Sequence, residues 1–138
     1  MMGVWVLLGA LTAQETGGAE KSFESYRAKV EARIAKQQAA IQKDPENAAA
    51  HFQLGLAYMA LGRHGEEIAA YKQAIQLKPD YTEAHYNLGA AYDLIEDEAL
   101  AIFHTRKALH GYTIERNHRG IRKSQRALRR LNEKYSEP

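Results

Sequence analysis

The chain has 138 residues, of which 45 % are apolar and 26 % charged, with a formal net charge of +2, the make-up of one folded domain with a modest core. It contains no cysteine, which excludes disulfides, thiolate metal sites and cysteine catalysis. Alanine, leucine, glutamine, glutamate and lysine dominate, all of them helix formers, and only three prolines interrupt them.

Residues 1–18 open with the apolar run MMGVWVLLGALTA. It is too short to span a bilayer as a helix but has the length of a signal-peptide core, with the small Ala13 before Gln14 as a cleavage point. No Lys or Arg precedes it, unlike the usual basic start. The segment reads as signal-like or membrane-proximal and outside the fold. The expected location is therefore exported or membrane-associated (the periplasm in a bacterium), with the cytoplasm as the alternative.

From Glu20 to Lys43 one helix is expected, with Phe23, Tyr26, Val30, Ile34 and Ile41 as its apolar stripe. Beyond it the sequence repeats itself. AHFQLGLAY, Ala50 to Tyr58, returns as AHYNLGAAY, Ala84 to Tyr92, 34 residues later. Pro45 and Pro79 share that interval, as do Ala40, Ala74 and Ala108, and Ile41, Ile75 and Leu109. The third proline slot holds Thr113. A fixed interval of this size marks stacked supersecondary units: a half-unit at 20–44, full units at 48–81 and 82–112, and a terminal helix at 113–135.

Each unit reads as two helices. The first helix of the first unit spans Ala48 to Leu61, ended by Gly62, which takes a left-handed conformation at little cost. The second, about Gly65 to Leu77, turns Ile68, Tyr71, Ala74, Ile75 and Leu77 inward and stops at Lys78-Pro79-Asp80. Gly55 and Gly89 lie mid-helix, where glycine costs about 1 kcal/mol against alanine. Such a cost is tolerable where a neighbouring backbone comes close, and Ala74 and Ala108 meet the same need on the partner helices. Tyr58 and Tyr92 fill the space between hairpins.

Leu54-Gly55, Tyr58, Tyr71, Ala74 and Pro79, with Leu88-Gly89, Tyr92, Ala101 and Ala108, resemble the tetratricopeptide repeat (TPR), whose unit is 34 residues. The resemblance covers about Ala35 to Gly111. It implies an all-α superhelix of two full repeats, an N-terminal half-unit and a C-terminal capping helix. It further implies a non-catalytic adaptor whose first helices line a concave groove. Phe52, Gln53, Leu56 and Met59, then Tyr86, Asn87, Ala90 and Asp93, would form it and take an extended peptide or amphipathic helix, with the aromatics as anchors. The family's clamp for chaperone C-termini is disfavoured: only Asn87 matches, and Phe52 and Leu56 replace a basic and an amide residue. Glu67 stands where the family has a small residue, Thr105 for an aromatic, Glu96 for the turn glycine, and His51 and His85 for large apolar residues. The back half of the second repeat is expected to be the looser.

The terminal helix places Ile114, Ile121, Leu128 and Tyr135 seven apart, with Leu131 alongside, as its packing face. From Thr113 on, eight Lys/Arg face three Glu. Arg116, Arg119, Arg122, Lys123, Arg126, Arg129, Arg130 and Lys134 share an arc of roughly 140° opposite the apolar stripe. That arc is either a solvated outer face or a contact for an anionic membrane surface, nucleic acid or an acidic partner; the lack of aromatics among the cations counts against single-stranded nucleic acid, and nucleic acid is the less favoured of the three. Self-association through 20–43 and 113–135 is the structural alternative to an adaptor. The six histidines form no catalytic or metal pattern, so neither cofactor, metal nor enzymatic activity is expected.

Overall fold

A computed structural model describes the backbone of residues 4–136 and the side chains of residues 17–136. Most of the signal-like segment therefore lies outside the described side chains. Among the described residues six helices follow one another: α1 (Val4–Lys43), α2 (Ala48–Ala60), α3 (His64–Leu77), α4 (Thr82–Leu94), α5 (Glu98–Ile114) and α6 (His118–Tyr135). Helices α2/α3 and α4/α5 are the two expected hairpins, and each helix packs on its neighbours in the chain.

α1 is one helix of 40 residues that begins well before Glu20. The position 34 residues before Gly62 is Ala28, so nothing turns the chain where a complete unit would turn. The expected apolar stripe divides. Val30 and Ile34 are buried against Leu54, Ala57, Tyr58 and Ala70, whereas Phe23 and Tyr26 project past the end of α2 and are exposed.

The turns follow local chemistry. Gly62 takes φ +67° after α2. Glu96 and Arg116 adopt the same left-handed region, at φ 62° and 54°, at a cost of about 1–2 kcal/mol each that only glycine avoids. Asn47, Asp97 and Asn117 cap the following helices by accepting from the backbone N–H of Ala50, Leu100 and Gly120.

A second cluster joins the hairpins: Phe52, Tyr71, Ala74, Ala84, Leu88, Tyr92, Ala101 and Leu131. The Tyr71 ring lies over Gly55, and Thr105, at the equivalent place one repeat later, lies against Gly89. The second hairpin is not the looser one. Ala101, Thr105 and Ala108 are all buried, because the short Thr105, its hydroxyl donating to the Ala101 carbonyl at 2.7 Å, lets α5 close on α4. Glu67 does not loosen the first hairpin either. It is 1 % exposed, its carboxylate 2.8 Å from His64 Nδ1.

The repeated histidines tie each unit to the loop before it. His51 Nε2 lies 3.1 Å from the Pro45 carbonyl and His85 Nε2 2.9 Å from that of Pro79. A carbonyl only accepts, so Nε2 of His85 carries the hydrogen and its Nδ1 accepts from His104 Nδ1 at 3.0 Å. The His104 ring is stacked on Tyr92. Burial, then His85, Lys107 and Lys72, push its pKa down from 6.5 to about 4. The unfolded chain therefore binds this proton more readily, and the fold loses stability as pH falls from about 6.5 towards about 4. Discounted for a half-exposed ring, the loss is about 1–2 kcal/mol. Urea titrations at pH 7 and pH 4.5 are expected to show it, with a smaller loss in His104→Gln; an equal loss in the variant assigns the effect elsewhere.

The terminal helix differs from expectation. With no proline at Thr113, α5 runs on to Ile114, and the chain turns at 115–117 before α6. Ile114 is consequently exposed at the end of α5. The face that α6 buries is Gly120, Ser124, Ala127 and Leu131, with Ile121, Leu128 and Tyr135 only half-buried beside it. Small residues carry this contact because α6 comes close to α5; Gly120 lies under the Tyr112 ring. Gly120, Ser124 and Ala127 repeat the buried places of Ala84, Leu88 and Ala91, so α6 is a third first-helix. Gln125 then occupies the place of Gly55 and Gly89 and is exposed.

Candidate functional site: a three-walled groove

Helices α2, α4 and α6 form successive walls of one surface. On the α2 wall Gln53 is exposed, Leu56 half-buried and Met59 45 % exposed. On the α4 wall Tyr86, Asn87 and Asp93 are half-buried and Ala90 is exposed. Phe52 does not belong to this surface. It is 5 % exposed, with its ring centroid 5.7 Å from Tyr71 and 4.9 Å from Tyr81. The loop after α3 folds Tyr81 over it, so its position on the helix wheel does not translate into access. The aromatic anchor that remains is Tyr86.

The third wall is the basic helix. Lys123 Nζ stands 4.2 Å above the Tyr86 ring, a favourable cation–π position. Arg130 shares a narrow crevice with Tyr86, Ala90 and Asp93. Lys134 donates to the Asp93 carboxylate at 2.7 Å, and the Tyr135 hydroxyl to the same oxygen at 3.3 Å. Burial raises the Tyr86 phenol above its ordinary pKa, while Arg130 and Arg126 oppose the rise, so positive charge reaches this part of the groove. Arg119, Arg122, Lys123 and Arg126 border a depression of about 360 Å³. Arg129 is exposed, and Arg116 is a turn residue, not part of α6.

The apolar groove and the basic arc, expected as separate surfaces, are therefore contiguous. Nor does α6 lie across the groove as a lid: it packs on α5, sets Lys123 over Tyr86 and Lys134 on Asp93 along the α4 wall, and leaves Gln53 and Met59 of the α2 wall open. The third wall was missed because the expected helix 113–135 ran through the true turn. Asn117 three residues before Gly120, in a capping arrangement, was the available signal.

Elsewhere, Phe23 and Tyr26 of α1 border a depression of about 380 Å³ with Leu61 and Arg63. Among the described residues no helix is long and apolar enough to cross a membrane, and no three His, Asp or Glu side chains are grouped to hold a metal.

The comparisons agree with this architecture. The TPR repeat model matches residues 34–62 and 57–93. No curated protein sequence matches the chain. Among solved structures, the TPR2B domain of yeast Sti1 in its pHsp70 complex is similar, with a TM-score of 0.72 and 18 % identity over 90 % of this chain and 98 % of that one. The first TPR domain of Spaghetti (RPAP3), bound to the HSP90 peptide SRMEEVD, has a TM-score of 0.71 and 22 % identity, covering 93 % and 94 %. The translocator chaperone SycD of the Yersinia enterocolitica type III secretion system has a TM-score of 0.75 and 15 % identity, covering 91 % and 86 %. At these identities the likeness is one of fold. The repeat is matched over residues 34–93, which include Gly55, Tyr71 and Gly89, and the helical stack is reproduced at the scale of single TPR domains, so this part of the chain is built of tetratricopeptide repeats and the whole has the all-α fold of a TPR solenoid.

Proposed function

We propose that this protein is a non-catalytic adaptor that holds a segment of a partner protein in the groove between α2, α4 and α6. The observation that carries this reading is the open surface itself. Met59 and half-buried Leu56, with the half-buried Tyr86 ring beneath Lys123, offer apolar contact beside the exposed Gln53 and the side chain of Asn87. A surface with apolar anchors and amides that fix register suits an extended or helical segment. Two of the similar TPR domains are complexes with chaperone-derived ligands, which supports a protein ligand here without naming it.

The test is affinity capture with the full chain, followed by reconstitution of the complex from the purified partner. Met59→Ser combined with Asn87→Ala is expected to weaken the reconstituted complex about tenfold, the effect of losing two moderate interface contacts. Its helical circular dichroism should be unchanged, because neither side chain is in the core. Equal affinity of variant and wild type would remove the groove as the binding surface.

A further inference from the structure

The α6 wall has a feature that packing does not require. Among the described residues, Lys134 is the one cation of α6 with a carboxylate within 4.0 Å; Arg119, Arg122, Lys123, Arg126, Arg129 and Arg130 have none. Like charges three and four residues apart on a helix repel, each pair costing about 0.2–0.5 kcal/mol. Arg119, Arg122, Lys123 and Arg126 stand at such spacings around one depression. The helix thus carries a mutual repulsion that its own chain leaves unrelieved, on the side that meets Tyr86 and Ala90.

We infer that the α6 wall receives an acidic stretch of the partner segment, with several Asp or Glu side chains set against Arg119, Lys123, Arg126 and Arg130 while an apolar residue of the same segment reaches Tyr86 and Met59. This inference rests on the groove reading above and adds the chemistry of the ligand. Bound carboxylates convert the repulsion into attraction, and the apolar contact fixes register, since complementary charge by itself mainly speeds association. The acidic groups are side chains within the segment, not a chain terminus: the cations are spread along two turns of α6 and more, and the α2 wall offers Gln53, Leu56 and Met59 and no cation. A lipid surface fits less well. Lys123 is set over the Tyr86 ring and Arg130 borders a crevice against α4, which turns two of the cations towards the groove. Nucleic acid lacks exposed aromatics on α6 for stacking.

Fluorescence anisotropy with the full chain tests this, using a labelled peptide of four glutamates around one leucine, acetylated and amidated. The peptide is expected to bind, weakening as salt rises. Its version with glutamine for glutamate should bind at least about tenfold more weakly, and Arg119→Glu with Arg126→Glu should weaken the acidic peptide by a similar factor. A free C-terminus in place of the amide should change affinity less than about twofold, far below the value of a dedicated charge-assisted contact. The inference is overturned if the glutamine peptide binds as well, if the charge reversal has no effect, or if phosphatidylserine vesicles or duplex DNA bind more tightly than the acidic peptide.

The native partner separates the two readings. If Met59→Ser with Asn87→Ala weakens it and the charge reversal does not, the groove stands and the acidic ligand falls. If the charge reversal weakens both probe and partner while the groove variant affects neither, α6 is an acidic-segment site and its placement in a shared groove is rejected.

Discussion

Replacing Phe52 by alanine is expected to cost about 3–4 kcal/mol of folding stability, the usual range for a buried aromatic truncated in a core. Phe52 sits between Tyr71 of its own hairpin and Tyr81 of the loop leading to the next, so the cavity opens at the junction of the two repeats. Leu56 and Ile68 pack on the same cluster only from its edge, which leaves little to collapse into the space. For a chain of this length the melting temperature should fall by roughly 10–15 °C. Thermal melts followed by circular dichroism decide it, and a fall of under about 2 °C would return Phe52 to the surface. The point bears on function as well: a binding loss in this variant reports on the fold, whereas Met59 and Asn87 report on the groove.

Much of this architecture was legible because it is written twice. The 34-residue interval located both hairpins, Gly62 and Pro79 marked turns, and Gly55 and Gly89 announced close helix contacts before any partner was known. What was not legible had local causes. Phe52 and Tyr86 occupy equivalent repeat positions, yet one is buried and the other half-open; the difference is the following loop, where Tyr81 folds over Phe52 and the equivalent position near Glu115 supplies no ring. On α6 the seven-residue spacing of Ile121, Leu128 and Tyr135 drew attention to large apolar residues, while Gly120, Ser124 and Ala127 carry the contact. A hydrophobic pattern is blind to faces that pack by being small. The left-handed turn at Arg116 was likewise hidden, since arginine gives no turn signal of its own, and with it the third wall of the site.

The glycines allow an opposed pair of expectations. Alanine is the better helix former by about 1 kcal/mol, so Gly→Ala within a helix stabilises unless the new methyl has nowhere to go. At Gly65, near the start of α3, nothing lies within 4 Å of that methyl, and Gly65→Ala should stabilise by about 0.5–1 kcal/mol. At Gly89 the methyl would stand 2.6 Å from the Thr105 hydroxyl oxygen, 3.0 Å from the Thr105 backbone nitrogen and 3.1 Å from the Ala101 carbonyl oxygen. Two of those three atoms are backbone, so α5 as a whole must retreat from α4. The Thr105 hydroxyl is also already committed to the Ala101 carbonyl. Overpacking of this kind costs about 1–3 kcal/mol, which exceeds the gain in helix propensity, and Gly89→Ala should be the less stable protein by about 1–2 kcal/mol. Because α4 and α5 carry the middle wall of the groove and the seat of α6, the same variant should also weaken binding of the acidic peptide. Denaturant titrations of the two variants side by side settle the stability claim: stabilisation by both would mean that α4 and α5 are not in close contact, and with that the geometry placing Tyr86 beneath Lys123 would fail.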